Sequence, residues 1–422
     1  MGKLAANPLK VSFVQPYFKN IWESVGVGSI VAYCKSRARG VEFRVYQENY
    51  DPFDYIVNRC ADSDIVAFSA TSPTYTRALL FAREIKEINP RARTVLGGWH
   101  ASAVAPGAID MMYIDQVVRG EGEEPFLRIL NGDASPVLEG RRLQFTDLPW
   151  VDREAINERR QIDYCQTTWG ERIASLQSIR GCKMNCKMCA QSCMTGKYNK
   201  STNPLRMRDP ADTMDEIEWL GREYGIDRFK FLDPTWAVDD DVVFAFCEEK
   251  LRRGNSVKWD AEAHAHFATR RGLEIMARAG CDVVMVGCES GSQKTLDRLN
   301  KGATVEEIKR VFEWAREFGM RRRAFFMVGV PGETLSDVYS TYMLIKEIQP
   351  DIFGMTFLTP YPGSGFYDPE AHGDVDWSVC DEYGNDFWRT EHFTNQQLKD
   401  IQQWFHLHFW DSLVEHRKRV MA

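Results

Sequence analysis

The 422-residue chain has no run of 18 uncharged apolar residues, so no helical membrane span is expected. Its first ten residues, MGKLAANPLK, lack the apolar stretch of a secretory signal. Ala6 stands where an N-myristoylation pattern wants Ser or Thr. Positive charge is not in excess. Against 60 Asp and Glu there are 53 Lys and Arg, a net charge of −7, which argues against a basic nucleic-acid surface. Low-complexity tracts and short-period repeats are missing. Histidine is scarce, at eight, and none sits in a D-x-H-x-x-G pattern. Cysteine comes to an odd eleven, eight of them scattered without a disulfide framework. With no export signal, the expected location is the reducing cytoplasm.

What is present is ordinary globular composition, 44% hydrophobic and 27% charged, in a chain long enough for two or three domains. Short apolar runs at 11–15, 41–46, 64–69, 94–97 and 116–119 alternate with stretches such as 74–88, whose apolar residues recur every three or four positions. That alternation predicts a doubly wound, Rossmann-like α/β domain over 1–135. Residues 136–170 read as a linker. Alternation resumes with runs near 175–179, 228–232, 257–262, 282–287, 322–328 and 352–357. Six βα units suffice for a partial TIM barrel, (βα)6, over 171–367, and are too few for a closed eight-fold one. Residues 368–422 read as a C-terminal helical extension, with a long helix over 397–420 and aromatics that include Trp377, Phe387, Trp388, Phe393, Trp404 and Trp410. These aromatics serve either as a wall over the barrel mouth or as packing for the terminal helix.

The sharpest motif is Gly181-Cys-Lys-Met-Asn-Cys-Lys-Met-Cys189. Cys182, Cys186 and Cys189 form C-x3-C-x2-C in a loop after a predicted strand. Three thiolates in one loop suit a zinc knuckle or three irons of a cubane cluster. A position after the first strand of a six-unit barrel favours the cluster. Three ligands leave one iron open for an outside group.

This spacing resembles the radical S-adenosylmethionine (SAM) superfamily. The resemblance implies a [4Fe-4S] cluster whose open iron chelates SAM and whose electron cleaves it to a 5′-deoxyadenosyl radical. Met188 stands where the family usually has an aromatic residue, and is expected beside the adenine. Cys193, four residues past the motif, reads as a bystander thiol. Val286-Gly-Cys-Glu-Ser-Gly-Ser-Gln293 resembles the family segment whose acid, here Glu289, accepts from the SAM amino group. Asp233 falls where the second barrel strand of the family approaches SAM. Phe326-Met-Val-Gly-Val-Pro-Gly-Glu-Thr334 and Thr359-Pro-Tyr-Pro-Gly-Ser364 resemble the exits of strands five and six.

One strand stands apart. Alternation over Asp260-Ala-Glu-Ala-His-Ala-His266 places Glu262, His264 and His266 on one face. They are expected to bind substrate, move protons or touch the SAM ribose. Hydrogen-bonded core or rim histidines, and a mononuclear metal site, are the other readings.

Over 1–135 the chain resembles the cobalamin-binding domain of class B radical SAM proteins. The matching segments end predicted strands at Ser69 and Thr71, at Gly97, Gly98 and His100, and at Gly120, Glu121 and Gly122. Ligands of open α/β sheets lie beyond such strand ends. The missing D-x-H-x-x-G motif leaves cobalt without a histidine from this domain, its lower face open or met by the 17–23 loop. The resemblance implies a cobalamin-dependent methyltransferase acting on an unactivated carbon of a small molecule. A ring-forming, ring-contracting or oxidising enzyme with the same cofactors is the alternative. Either takes electrons from an external donor such as flavodoxin or ferredoxin.

Overall fold

The computed structural model describes residues 8–19, 23–381 and 383–409. The part of the expected 397–420 helix beyond Phe409, including Trp410, lies outside the described residues.

The first sheet is parallel and six-stranded, in the order β2-β1-β3-β4-β5-β6. Its strands are β1 (Leu9–Gln15), β2 (Val41–Gln47), β3 (Ile65–Ser69), β4 (Arg93–Gly97), β5 (Gln116–Arg119) and β6 (Val137–Glu139). The apolar runs are nearly continuous because both faces are covered. Val66, Phe68, Leu96 and Val117 fill one side, and Phe13, Ile65, Ala67, Val95 and Val118 fill the other. β6 corrects the expected boundary at 135. It lies in the segment read as a linker, yet Val118 pairs with Leu138 and extends the sheet. That segment also holds a helix, Glu158–Trp169. Its sequence is polar on most sides, so only Ile162 and Cys165 carry an apolar signal, and both are buried.

The second sheet is parallel, in the order β14-β13-β12-β11-β10-β7, six strands of a barrel left open between β14 and β7. Its members are β7 (Ile173–Leu176), β10 (Arg228–Phe231), β11 (Lys258–Ala263), β12 (Cys281–Glu289), β13 (Arg321–Val328) and β14 (Ile352–Phe357). A two-residue ribbon, β8 (Ile179–Arg180) with β9 (Arg206–Met207), brackets the cysteine loop. It splits the single strand expected at 175–179.

The outer face packs Phe229, Phe231, Trp259, Ala261, Val284, Val286, Ala324 and Phe326 against the helices. The inner face is different. Burial alternates along β13 and β14, and the half-exposed positions Arg323, Phe325, Met327, Gly354 and Thr356 face the lumen. Register continues that face: Lys230 lies beside Asp260, Glu262 beside Met285, and Met285 beside Arg323. Arg228 closes the floor. It donates to Asp260 at 2.6 Å and Asp282 at 2.7 Å, and Arg321 also holds Asp282.

Two buried ionic clusters join the domains. Arg153, 1% exposed, donates to the Ser175 carbonyl at 2.8 Å, Glu216 at 3.0 Å and Glu158 at 3.1 Å. Glu23 completes it, accepting from the Ser175 amide at 2.9 Å and hydroxyl at 3.0 Å. Burial, with Glu158 nearby, pushes Glu23 up to about 8. In the second cluster Arg180 donates to Glu121 at 2.9 Å and Glu123 at 2.7 Å, and Arg206 also holds Glu121.

Candidate functional site

The cysteine loop lies at the carboxyl ends of the barrel strands, pinned on several sides. The Lys187 amide donates to the Leu299 carbonyl at 2.8 Å, and the Asn300 side chain donates to the Asn185 carbonyl at 2.8 Å. A side-chain carbon on Gly302 would meet Met184 at 2.5 Å. The Met184 amide points at the Cys182 sulfur at 3.5 Å and the Gln191 amide at the Cys189 sulfur at 3.4 Å. Cys182 and Cys186 are half-buried and Cys189 is exposed. Burial pushes the Cys186 thiol up to about 12 and the Cys189 thiol up as well. Thiolates here need compensating positive charge, which cluster iron supplies. Amide donors to sulfur are how proteins tune such clusters. The donor set therefore fits a three-cysteine cluster. Cys193 is turned away, its thiol donating to the Ala190 carbonyl at 2.8 Å and resting 3.1 Å from where a Gly363 side chain would begin. Met188 packs against the barrel core.

Beside the loop, Glu289 ends β12 with a left-handed backbone, φ 61°. Its buried carboxylate accepts from the Lys301 ammonium at 2.7 Å. Gly287 makes room for this pair. A carbon added there would lie 2.6 Å from the Glu289 oxygen and 2.8 Å from the Lys301 nitrogen. Lys301 was not singled out in the sequence. It lies 12 residues from its partner in a loop, where no periodic signal reaches. Its burial is sustained by Glu289 and by Cys186 nearby.

Asp233 is held short of any ligand. It accepts from the Ser178 and Ile179 amides at 2.9 and 3.0 Å and the Ser178 hydroxyl at 2.5 Å. Burial pushes it up to about 7. These bonds let it fix the start of the cysteine loop.

The Glu262, His264 and His266 face is corrected. β11 ends at Ala263, and the chain turns before the histidines. Glu262 stays in the lumen, where burial raises its carboxyl despite Lys230 and Arg323 nearby. His264 is buried with Nε2 3.0 Å from the Lys301 carbonyl, and burial pushes it down to about 3. His266 leaves the barrel, its side chain half exposed and 3.1 Å from Glu307. Among the described residues no three His, Cys, Asp or Glu side chains converge to hold a single metal ion.

In the first domain, Ser69 and Gly97 end β3 and β4 half-buried, with nothing nearer than 3.8 Å to a carbon added at Gly97. Gly120 (φ 73°) is similarly open, its nearest neighbour the Met194 carbonyl of the barrel domain at 3.7 Å. Positions without a side chain at these strand ends fit a large cofactor lying against backbone. Other expected residues are spoken for. Thr71 caps the helix Ser72–Ile88 through a reciprocal bond with Thr74. Gly98 (φ 95°) is needed for the Ala70 backbone, 2.7 Å from its added carbon, and Gly122 for Ile30 at 2.7 Å. Glu121 is consumed by Arg180 and Arg206. His100 turns inward, 4% exposed, stacked on Tyr75 and 3.0 Å from the Ser72 hydroxyl. Burial pushes it down to about 4. Residues 20–22 of the 17–23 loop lie outside the described residues.

Between the two sets of strand ends, the short helices Trp99–Ala103 and Gln191–Thr195 pack together. Strand ends of the first sheet thus face the cysteine loop. A barrel carrying a three-cysteine loop behind such a domain defines a two-cofactor radical protein. Comparison with known proteins agrees: residues 176–345 match the model of the Radical SAM superfamily and residues 14–130 that of the B12 binding domain. The chain is a member of the radical SAM superfamily with an N-terminal B12-binding domain, which brings a [4Fe-4S] cluster, SAM and cobalamin as cofactors.

An anaerobic magnesium-protoporphyrin IX monomethyl ester cyclase of Cereibacter sphaeroides is 30% identical over 323 residues, 71% of this chain and 52% of the relative. The chain thus spans about half the length of that protein. An uncharacterized methyltransferase of Pyrococcus horikoshii is 24% identical, covering 83% of this chain and 79% of the relative. Among solved structures, the radical SAM methyltransferase TsrM of Kitasatospora setae superposes with TM-score 0.69 at 16% identity, over 85% of this chain and 77% of that one. Among the described residues no helix is long and apolar enough to cross a membrane.

Proposed function

We propose that the chain methylates an unactivated carbon of a small molecule, drawing electrons from an external flavodoxin or ferredoxin. The observation that carries this is the Glu289–Lys301 pair beside the cysteine loop. A carboxylate and an ammonium, paired in a cradle that Gly287 keeps open, match the ammonium and carboxylate of SAM's amino-acid end. When bound, cluster, SAM and cobalamin supply the radical and a transferable methyl group. The chain's own residues do the rest. Cys182, Cys186 and Cys189 hold the cluster. Glu289 receives the SAM ammonium and Lys301 its carboxylate. Ser69, Gly97 and Gly120 seat the cobalamin, and the packed helices between the domains exclude water from the gap.

Methyl transfer is supported by methyltransferases among the relatives, including the one from Pyrococcus horikoshii and a bacteriochlorophyllide d C-8(2)-methyltransferase of Chlorobaculum tepidum at 24% identity. A ring-forming reaction without methyl transfer is favoured by one observation, the 30% identity to the Cereibacter cyclase. The deciding experiment is anaerobic turnover with SAM, reductant and cobalamin, read by product mass. A gain of one CH2 unit supports methylation, and loss of hydrogen without that gain supports cyclisation.

A further inference from the structure

Among the described residues, the barrel lumen carries a cation with no hydrogen-bond or ion-pair partner. On the floor, Arg228 and Arg321 are held by Glu171, Asp260 and Asp282. At the mouth, Lys301 balances Glu289. Asp233 is bonded to residues 178 and 179, and Glu23 belongs to the Arg153 cluster. Between floor and mouth remain Lys230, Glu262 and Arg323, two cations and one anion. Lys230 and Glu262 each have the other as their largest opposite charge. Arg323 is the second cation. Among the described residues its guanidinium makes no hydrogen bond or ion pair, and its Nε is buried without an acceptor. A buried donor left so carries its desolvation penalty uncompensated, the more so when charged. The Phe325 ring lies 4.7 Å from the guanidinium carbon, and Glu262 and Lys230 are within electrostatic reach.

The space next to Arg323 has a definite character. Going toward the mouth, the same face carries Phe325 and then Met327. Phe325 pairs in register with Gly354 of β14. A carbon added at Gly354 would meet only the edge of the Phe325 ring, at 3.7 Å. Among the described residues this part of the lumen wall is apolar, with a guanidinium that has no bonded anion at its base.

We infer that Arg323 selects the substrate, and that it binds a carboxylate borne by an apolar body that lies along Phe325 and Met327 over Gly354. The inference deepens the proposed function, resting on the barrel being the reaction chamber. The planar fork of an arginine suits a two-oxygen acceptor, and a single guanidinium without a bonded anion matches a carboxylate rather than a phosphate dianion. Carboxylate-first entry leaves the far end of the substrate nearest the mouth, where Glu289 and the cysteine loop lie.

The test is calorimetric titration, under anaerobic conditions, of the protein loaded with cluster, cobalamin and SAM. The probes are benzoate, hexanoate and indole-3-acetate, each against its methyl ester, with phenyl phosphate as a further arm. At least one carboxylate is expected to bind at least about tenfold more tightly than its ester. Arg323→Gln should abolish that preference, Arg323→Lys should restore part of it, and Gly354→Val should weaken every carboxylate. SAM affinity should stay unchanged in all three variants. Equal binding of acids and esters to the unaltered protein, or no binding of any acid, overturns the inference. So does tighter binding of phenyl phosphate than of benzoate. A parallel loss of SAM affinity in Arg323→Gln also overturns it, by giving the guanidinium to SAM. SAM cleavage is measured on the same unaltered sample. A protein that prefers the acid without cleaving SAM defeats the proposed function instead, so the two failures are told apart.

Discussion

Two parallel sheets of six strands, built from the same alternation of strand and helix, carry opposite inner logic. The first is apolar on both faces, so its chemistry is pushed to the strand ends. The second is apolar only outside, and its inner face offers Lys230, Glu262 and Arg323 to a lumen. A sheet buried on both sides is a platform, whereas a sheet curled around a space is a vessel. The difference comes from single residues. Where the first sheet has Phe68 or Leu96, the second places Lys230, Glu262, Arg323 and Gly354 among the residues of its inner face.

The strongest challenge to that comparison is removal of what the vessel holds. Cys182→Ala, Cys186→Ala or Cys189→Ala should each abolish SAM cleavage and most cluster absorbance, while Cys193→Ala should keep both. Iron analysis with visible spectra checks this, and loss of the cluster in Cys193→Ala alone would refute the ligand set. Next in size is a pair of core changes. Phe68→Ala, in the platform, should cost about 3–5 kcal/mol in urea unfolding. Phe325→Ala, on the half-exposed lumen wall, should cost about 1 kcal/mol. Equal losses would erase the distinction between the two sheets. Glu289→Gln should weaken SAM binding by roughly tenfold to a hundredfold, through loss of one charged partner of a buried pair. Equilibrium dialysis with SAM tests it, and unchanged affinity would move the SAM site elsewhere.

A smaller effect concerns His100. Its folded value of about 4 lies below the usual 6.5, because burial disfavours the imidazolium. The unfolded chain then binds the extra proton, so stability is full above about 6.5 and falls as pH drops toward 4, by up to about 1.4 kcal/mol per pH unit. His264, pushed down to about 3, adds a second contribution of the same sign from the barrel. His100→Phe should flatten the acid limb measured by denaturant midpoints, and an unaltered limb would show the ring to be solvated. Smallest is His266→Ala, expected to leave product formation unchanged because the side chain lies outside the barrel. A tenfold loss would return it to the lumen.

Much of this was legible in the sequence. Most strands of both sheets and the cysteine loop follow from period and spacing, which are local signals. β6 was missed because three residues with one buried side chain, Leu138, give no pattern of their own. The histidines were misplaced because strand alternation was carried past Ala263, where a turn begins. Lys301 and Arg323 were invisible for a different reason. A lysine and an arginine in a chain with 53 of them carry no mark until tertiary structure shows one paired and the other unpaired. The same holds for Glu121 and His100. Their segments point to a ligand edge, while their side chains answer to an arginine cluster and a tyrosine ring.

The Arg153 cluster bears on how the molecule is made and whether it can be divided. A shortened chain beginning at 171 would keep Ser175, Glu216 and its second cation Arg208, but lose Arg153, Glu158 and Glu23. Leaving buried partners of a broken ionic cluster typically costs about 3–5 kcal/mol, a large part of a domain's stability. Excision of the barrel alone should therefore give an insoluble or poorly folded product. Synthesis runs the favourable way. Glu23 and Arg153 leave the ribosome before Ser175 and Glu216, so the seam beside β7 is closed by partners already present when that strand emerges.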